Sequence, residues 1–272
     1  MEHLSKYLTK DIKLSSYEDK LFKSDLIFED HMLVWFISGE TKIIQAESTF
    51  NFKTGDIFLI PRNELATIIN YPKDGLPHKT VVMHLSTDRL KKFYEHVAVN
   101  KTIETAPKIY SFSNHPLLES CMASLIPYFS VAGEFPENLA ALKIEEAINI
   151  LRLIDPGVDR VLANFDAPGK IDLINFMQHN FMFNMPLERF GYLTGRSLST
   201  FNRDFKQLFG TTPQRWLSDK RLSLAYYHLA EKKKRPTEVY LEVGFEDLSH
   251  FSFTFKKKYG MSPNQLSKNS HN

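Results

Sequence analysis

The last third of the chain contains one segment twice, and this repeat restricts the fold more than any other feature of the sequence. At an offset of 50 residues, 190–213 (the first copy) aligns with 240–263 (the second copy). The matched pairs are Phe190 and Tyr240, Leu193 and Val243, Ser199 and Ser249, Phe201 and Phe251, Phe205 and Phe255, Lys206 and Lys256, Phe209 and Tyr259, Gly210 and Gly260, and Pro213 and Pro263. Such regular spacing indicates one supersecondary unit that occurs twice.

Each copy has the pattern of a helix-turn-helix. A short helix ends near Leu193 or Val243, a turn contains Gly195 or Gly244, and a second helix follows. Within each second helix two phenylalanines are four residues apart, which predicts a buried stripe along one side. We expect these phenylalanines to be core residues.

A glycine and a following proline mark the end of the second helix in each copy. Gly210 and Gly260 stand where a helix ends in a left-handed residue, and a proline that can start the next helix follows each. The helix predicted from Pro213 to about Ala230 would be roughly 27 Å long. This helix could support two DNA-reading helices, which are the second helices of the two copies, about one DNA turn, roughly 34 Å, apart.

The face opposite the phenylalanine stripe is polar. In the first copy it carries Ser199, Asn202, Arg203 and Lys206, which combine base-reading donors and acceptors with positive charge for phosphate. The basic run Lys232-Lys233-Lys234-Arg235 is either a solvated loop or a further contact.

The part of the chain that contains the repeat also differs in charge from the part before it. Residues 1–169 hold 18 Lys and Arg against 23 Asp and Glu, whereas residues 170–272 hold 16 against 9. A basic C-terminal third suits a polyanionic partner. The composition is that of a soluble protein, and no stretch reaches the roughly 18 apolar residues of a membrane span. We therefore expect a cytoplasmic protein with no membrane partner, and we expect the single cysteine, Cys121, to lie in the core.

The N-terminal part has a β pattern followed by a helical one. Short apolar runs separated by turn signals occupy residues 26–86, which is typical of a small antiparallel barrel or sandwich. Helical spacing then starts near Leu90, again near Leu117, and over Pro136 to Leu153. We predict a regulatory and dimerisation domain over 1–154, a linker over 155–169 with two Pro-Gly pairs, and a DNA-binding domain over 170–272. The helices predicted in that last domain cover 171–180, 187–193, 198–209, 213–230, 237–243, 248–258 and 263–268.

The run from Gly244 to Pro263, GFEDLSHFSFTFKKKYGMSP, resembles the signature of the AraC family of transcriptional regulators, and residues 195–213 match the weaker first half of that signature. The resemblance covers about 100 residues and implies two helix-turn-helix units that bind double-stranded DNA and act with RNA polymerase. It implies base reading by Ser199, Asn202 and Arg203 in the first copy. In the second copy it implies base reading by Leu248, Ser249 and Ser252, with Lys206 and Lys256 on phosphate.

Two positions of the second copy depart from this family pattern. His250 replaces the usual tyrosine and Phe253 the usual arginine, while Arg203 is kept in the first copy. The second unit has therefore lost a base or phosphate contact, and we expect the first to dominate sequence discrimination. His250 is either structural or a base reader.

The segment from Thr54 to Pro61, TGDIFLIP, resembles a strand-turn of the cupin-like sensor domains that precede this DNA-binding module. The expected fold class is thus α+β, with an N-terminal cupin-like β-barrel carrying helices and a C-terminal all-α double helix-turn-helix domain. His31, His78 and His84 share no spacing typical of metal ligands, so we expect packing or surface roles, no metal and no cofactor.

The helix over 139–153 has apolar residues on one face and charges on the other. This face either packs on its own barrel or pairs with its twin in a homodimer. We expect a regulator, an activator more than a repressor, controlled at its N-terminal domain by a small-molecule effector or by a regulatory protein. The resemblance extends to some family members with this layout that regulate virulence or secretion genes and are controlled by fatty acids or by an inhibitory protein instead of a sugar. An enzyme fused to a DNA-binding tail is the alternative, but the chain lacks a reactive cysteine motif and metal-ligand spacing.

Overall fold

The computed structural model describes residues 3–17, 22–45, 48–97, 99, 109–112, 115–131 and 135–269. It divides into two compact units, Met1–Asp166 and Ala167–Asn272. The two units are described separately below.

The N-terminal unit contains two antiparallel sheets. Its strands are β1 (His3–Thr9), β2 (Ile12–Tyr17), β3 (Phe22–Ile27), β4 (His31–Ser38), β5 (Glu40–Ile44), β6 (Thr49–Lys53), β7 (Ile57–Ile60), β8 (Leu65–Tyr71), β9 (His78–Leu85) and β10 (Tyr110–Ser111). One sheet has the order β1-β2-β9-β4-β7-β10 and the other β3-β8-β5-β6. The α+β class is confirmed, although the described strands form two sheets and no hydrogen-bonded ladder closes them into a ring.

Apolar side chains of both sheets share a core. Phe36 and Phe58 from the six-stranded sheet meet Phe52 from the four-stranded sheet, with ring centroids 4.2 Å apart for Phe52 and Phe58. Because strand side chains alternate between faces, the six-stranded sheet has a second apolar face. That face, with Leu33 and Val81, packs against the helices of the same unit.

These helices follow the strands in the chain. They are α1 (Thr87–Tyr94), α2 (Pro116–Ala123), α3 (Glu137–Ile154) and α4 (Asp159–Leu162), with short 3-10 helices over Ile126–Ser130 and Pro156–Val158. The predicted core position of Cys121 is confirmed, since 2% of the residue is exposed, and burial raises the pKa of its thiol to about 12.

Part of the segment that we predicted as a linker is structured. Val158 and Val161 are buried in the core of the N-terminal unit, and Asp159 accepts hydrogen bonds from Tyr94 Oη at 2.6 Å and from Arg152 Nε at 2.8 Å. Residues 156–162 therefore belong to the N-terminal unit, because their apolar side chains complete its helical layer. The predicted domain limits of 154 and 170 themselves stay a prediction.

The C-terminal unit is entirely helical in its described residues. Its helices are α5 (Leu173–Asn180), α6 (Leu187–Leu193), α7 (Leu198–Phe209), α8 (Pro213–Ala230), α9 (Pro236–Glu242), α10 (Leu248–Tyr259) and α11 (Pro263–Asn269). The seven helices predicted from the sequence are confirmed, with ends that differ by two residues or fewer. Gly210 and Gly260 end α7 and α10 in the left-handed region, at φ values of 68° and 75°.

None of the helices in the described part of the chain combines the length and apolarity needed to cross a bilayer.

Candidate nucleic-acid interface

The second helices of the two repeats, α7 and α10, bury the same side. Phe201 and Phe205 of α7 are fully buried, as are Phe251 and Phe255 of α10. Ring centroids are 5.6 Å apart within each pair. The predicted core role of the repeated phenylalanines is thus confirmed, and it turns the opposite face of each helix to solvent.

Helix α8 contributes an aromatic side chain to each unit. In the first unit, the Trp216 ring lies 5.7 Å from that of Phe205. In the second, the Tyr226 ring lies 6.4 Å from Phe255 and 4.9 Å from Tyr259. Both helix-turn-helix units are therefore built onto one continuous helix of 18 residues.

The turn of the first unit is fixed by Arg196. Its side chain is 7% exposed, and its guanidinium donates to Asp204 Oδ2 at 3.1 Å, Thr194 O at 2.6 Å and Ile171 O at 3.0 Å. The hydrogen bond from Arg196 is the largest cause that lowers the pKa of the Asp204 carboxyl. The ion pair ties the turn to the middle of α7.

The turn of the second unit is fixed by backbone packing. Gly244 has a φ of +89°, and a β-carbon added there would lie 2.4 Å from the carbonyl oxygen of Met182. Arg221 of α8 lies alongside and donates to the carbonyls of Phe181 at 2.9 Å and Phe183 at 3.0 Å. Burial lowers the pKa of the Arg221 guanidinium.

Four predicted site residues form one row on α7. Ser199, Arg203 and Lys206 are exposed and Asn202 is half-buried, at the i, i+3, i+4 and i+7 positions of a single helix face. The Arg203 side chain is 72% exposed and contacts Asp204 at 3.2 Å. The row can present hydroxyl, amide and guanidinium groups to base edges.

The equivalent row on α10 contains Ser249, Ser252 and Lys256. Ser249 and Lys256 are exposed and Ser252 is half-buried. Leu248, which we also placed in this row, differs because its partly buried side chain packs against the core of the second unit. Packing leaves less of this leucine available to a base.

Three residues near these rows have an exposure or a contact that the sequence did not predict. Phe253, read there only as a lost arginine, is 71% exposed. Asp247 caps α10 by accepting from the His250 N–H at 2.6 Å, and Glu246 accepts from Asn184 at 2.6 Å. The first unit has Arg196 and Ser197 at the equivalent positions, and the Arg196 side chain is buried and paired with Asp204. Of the two reading helices, the second therefore begins beside exposed carboxylates and the first does not.

Two lysines of the basic run that precedes α9 make contacts within the C-terminal unit. Lys234 Nζ lies 2.6 Å from Glu242 Oε2, and Lys232 lies over the Tyr227 ring at 5.6 Å. Lys233, with a φ of 52°, takes the left-handed turn conformation.

The described residues of the two sheets leave a small cavity between them. The cavity measures about 100 Å³ and lies among Phe28, Phe36 and other apolar side chains. At its polar end Thr41 Oγ1 lies 2.7 Å from both Asn70 Oδ1 and His78 Nε2. Burial lowers the pKa of His78 to about 4, so the ring is neutral at pH 7. Sites for drug-sized ligands measure about 300 to 1,000 Å³, so this cavity is too small for one.

An open groove lies on the outside of the same unit. It measures about 920 Å³ and is lined by β1, by the 3-10 helix over Ile126–Ser130 and by the start of α3. Tyr7 is 60% and Val131 70% exposed along it. Among the described residues, no group of three or more histidine, cysteine or carboxylate side chains is placed to hold a metal ion.

Both parts of the chain match known protein families. Residues 193–269 match the family described as "Helix-turn-helix domain" and residues 31–155 the family described as "ExsA N-terminal regulatory domain". Together these matches reproduce the two-part layout seen in the structure. The chain is an AraC-family transcriptional regulator.

Its relatives among characterised AraC-type proteins are distant in sequence. The chain is 25% identical to the HTH-type transcriptional regulator ExsA of Pseudomonas aeruginosa, over 84% of this chain and 83% of that protein. It is 25% identical to the virulence regulon transcriptional activator VirF of Yersinia enterocolitica, over 61% and 62%. To the activator RhaS of Mannheimia succiniciproducens it is 30% identical over 40% of each chain.

Among solved structures, the chain is similar to ToxT from Vibrio cholerae. The two are 12% identical with a TM-score of 0.44, and the alignment covers 96% of this chain and 98% of that one. As an AraC-family member, the chain is a sequence-specific DNA-binding regulator of transcription.

Proposed function

We propose that this regulator activates transcription by placing α7 and α10 in successive major grooves on one face of a DNA duplex. The observation that carries the proposal is the pair of equivalent helices, each with a buried phenylalanine stripe and an exposed polar row, held by the single helix α8. Two reading helices on one support fit half-sites about one helical turn apart.

We assign the rows different roles. Ser199, Asn202 and Arg203 read bases in the first half-site, and Lys206 binds phosphate. In the second, Ser249 and Ser252 read bases with a smaller contribution from Leu248, and Lys256 binds phosphate. The first unit dominates discrimination, because it keeps Arg203 where the second unit has Phe253, while the carboxylates of Glu246 and Asp247 at the start of α10 lower the affinity of the second unit for phosphate.

We further propose that a regulatory protein, and not a small molecule, controls the N-terminal unit. The small size of the cavity that the described residues leave between the sheets supports this choice, since about 100 Å³ cannot enclose a drug-sized effector. The open outer groove with Tyr7 and Val131 offers an exposed surface of suitable size. The proposed partner at the promoter is RNA polymerase, the proposed location is the cytoplasm, and we propose no enzymatic activity.

A homodimer through α3 is part of the proposal. Ile144 and Ile148 of this helix are buried within their own unit. The apolar face that contains them therefore packs on its own domain. A different face leaves Leu142 61% and Leu153 70% exposed. Sedimentation of Leu142→Glu and Leu153→Glu proteins tests this point, and an unchanged molecular mass in both would remove the dimer from the proposal.

The main experiment is selection of bound duplexes from a random pool by the full-length protein, at two salt concentrations. We expect enrichment of two short elements about 10 base pairs apart, because both units face one side of the duplex. Salt must be varied because phosphate contacts make affinity strongly salt-dependent. Enrichment of a single element, or of none, would contradict the two-groove arrangement.

A matched pair of variants then tests the assignment of roles. Arg203→Ala should cost about 1 to 3 kcal/mol of binding free energy and relax sequence preference in the first element. Ser249→Ala should cost less, because a serine makes fewer contacts than an arginine. An equal or larger loss from Ser249→Ala would show that the second unit dominates.

A further inference from the structure

The inference concerns Phe253, whose exposure is unusual for a phenylalanine. Its exposed fraction of 71% is the largest given for a large apolar side chain in the described part of the chain. By contrast, Phe251 and Phe255 on the same helix are fully buried. The second unit thus keeps its core without Phe253, and the ring is free to meet a binding partner.

Phe253 also lies in the middle of the proposed reading row. Ser249, Ser252, Phe253 and Lys256 share one face of α10 at i, i+3, i+4 and i+7. Its equivalent in the first unit is Arg203, with a similar exposed side chain. The two units therefore offer a guanidinium and an aromatic ring at the same structural position.

The chemistry of the neighbours indicates what the ring meets. Lys256 and Lys257 follow it on the same helix and are exposed, whereas Lys258 pairs with Asp219 of α8. The surface around this single apolar group is therefore hydrophilic and basic. Such surroundings suit a polyanion that carries isolated apolar groups. In the major groove the apolar group is the 5-methyl of thymine, and phenylalanine is one of the side chains that contact it.

We propose that Phe253 gives the second unit a preference for thymine by covering thymine 5-methyl groups in the major groove. This rests on the proposed function and adds a specificity-determining residue to it. The first unit selects guanine through the hydrogen-bonding guanidinium of Arg203, while the second selects thymine through burial of methyl groups. In one operator, the first half-site is then recognised by hydrogen bonds and the second by burial of methyl groups.

The test compares two versions of the selected duplex, one with thymine and one with deoxyuridine in the second element only. These duplexes differ by methyl groups alone. Full-length wild-type protein should bind the thymine duplex more tightly, by about fourfold for each covered methyl group. Phe253→Ala should bind both duplexes with equal affinity. Equal binding of both duplexes by the wild type, or retained preference in Phe253→Ala, would overturn the proposal.

Three further variants test whether the thymine preference depends on Phe253. Leu241→Ala, which removes an exposed apolar side chain from α9 outside the row, should keep the thymine preference. Arg203→Ala should bind more weakly but also keep it, and Phe253→Arg should shift the preference at that position toward guanine. If Phe253→Ala binds DNA like the wild type and loses only activation by RNA polymerase, the ring contacts protein and the proposal is wrong while the proposed function stands. Failure of the wild type to select any duplex would overturn both.

Discussion

Arg196 and Asp204 form an ion pair, with Nε and Oδ2 3.1 Å apart, that joins the turn of the first helix-turn-helix unit to its reading helix. The second unit has Glu246 at the position equivalent to Arg196, while the turn glycines of both units, Gly195 and Gly244, pack closely against backbone atoms. The first unit thus adds an ion pair to a backbone contact that both turns share. Removing that ion pair should affect the first unit alone.

Arg196→Ala should destabilise the C-terminal unit by about 2 to 3 kcal/mol, because it removes the donor to the partly buried Thr194 carbonyl and the least exposed cationic partner of Asp204. Arg203→Ala is the matched control: it also removes an arginine from Asp204, but from a mainly exposed position, and should cost less than about 1 kcal/mol. Urea unfolding followed by Trp216 fluorescence, with Trp35 replaced by phenylalanine, measures both. Equal losses would show that the buried contacts of Arg196 add nothing.

Gly244→Ala should lower the free energy of unfolding of the same unit by more than about 2 kcal/mol, from left-handed strain plus a clash with the Met182 carbonyl. Gly260→Ala separates these causes. Gly260 also has a positive φ, but an added β-carbon meets nothing within 4 Å, so only the strain of about 1 to 2 kcal/mol remains. The same fluorescence measurement applies, and similar losses at both glycines would rule out the proposed clash.

The N-terminal unit should lose stability as the pH falls below about 6.5. Burial lowers the pKa of His78 to about 4, and burial with the nearby Arg62 charge lowers that of His31 to about 3. Below the unfolded value of 6.5 the unfolded chain binds protons that the folded chain does not, so unfolding becomes more favourable until the folded values are reached. Each histidine should contribute up to about 1.4 kcal/mol per pH unit in this window.

Unfolding monitored by Trp35 fluorescence between pH 7 and pH 4, in a Trp216→Phe background, tests this pH dependence. His78→Gln should flatten the slope, whereas His179→Gln, at an exposed position of the other unit, should not. A slope unchanged in His78→Gln would show that this imidazole is not the group that titrates.

Lys206→Ala should weaken DNA binding to all sequences by a similar factor and reduce the slope of log affinity against log salt by about 1. The lysine is exposed at the end of the α7 row, where a point charge can meet phosphate without reading a base. Binding to selected and random duplexes over a salt series measures both effects. A loss confined to the selected duplex would make Lys206 a base reader instead.

The helices of the C-terminal unit could be predicted closely from the sequence, since their ends carry local signals. Gly210 and Gly260 adopt left-handed conformations, and Pro213 and Pro263 begin the next helices, as their positions indicated. The phenylalanine spacing also predicted the buried face. These features depend on neighbours within a few residues.

Other features depend on contacts between distant residues and could not be predicted. Strands β1 and β2 were missed because β2 buries Ser15 and Ser16 beside Ile12, which weakens the apolar alternation that marks a strand. The contact of Gly244 with Met182 and the ion pair of Arg196 exist only after the helices pack. At the site, the polar rows were predictable, whereas the exposure of Phe253 and the burial of Leu248 required the structure.

Because α8 supports both units, the distance and angle between the two reading helices are set by the length of one helix. One residue inserted into α8 would move the units about 1.5 Å apart and rotate one by about 100° relative to the other. Such a change would disrupt binding at every operator at once. The spacing between half-sites should therefore be nearly invariant among the promoters that this protein controls, and these promoters can diverge only in base sequence.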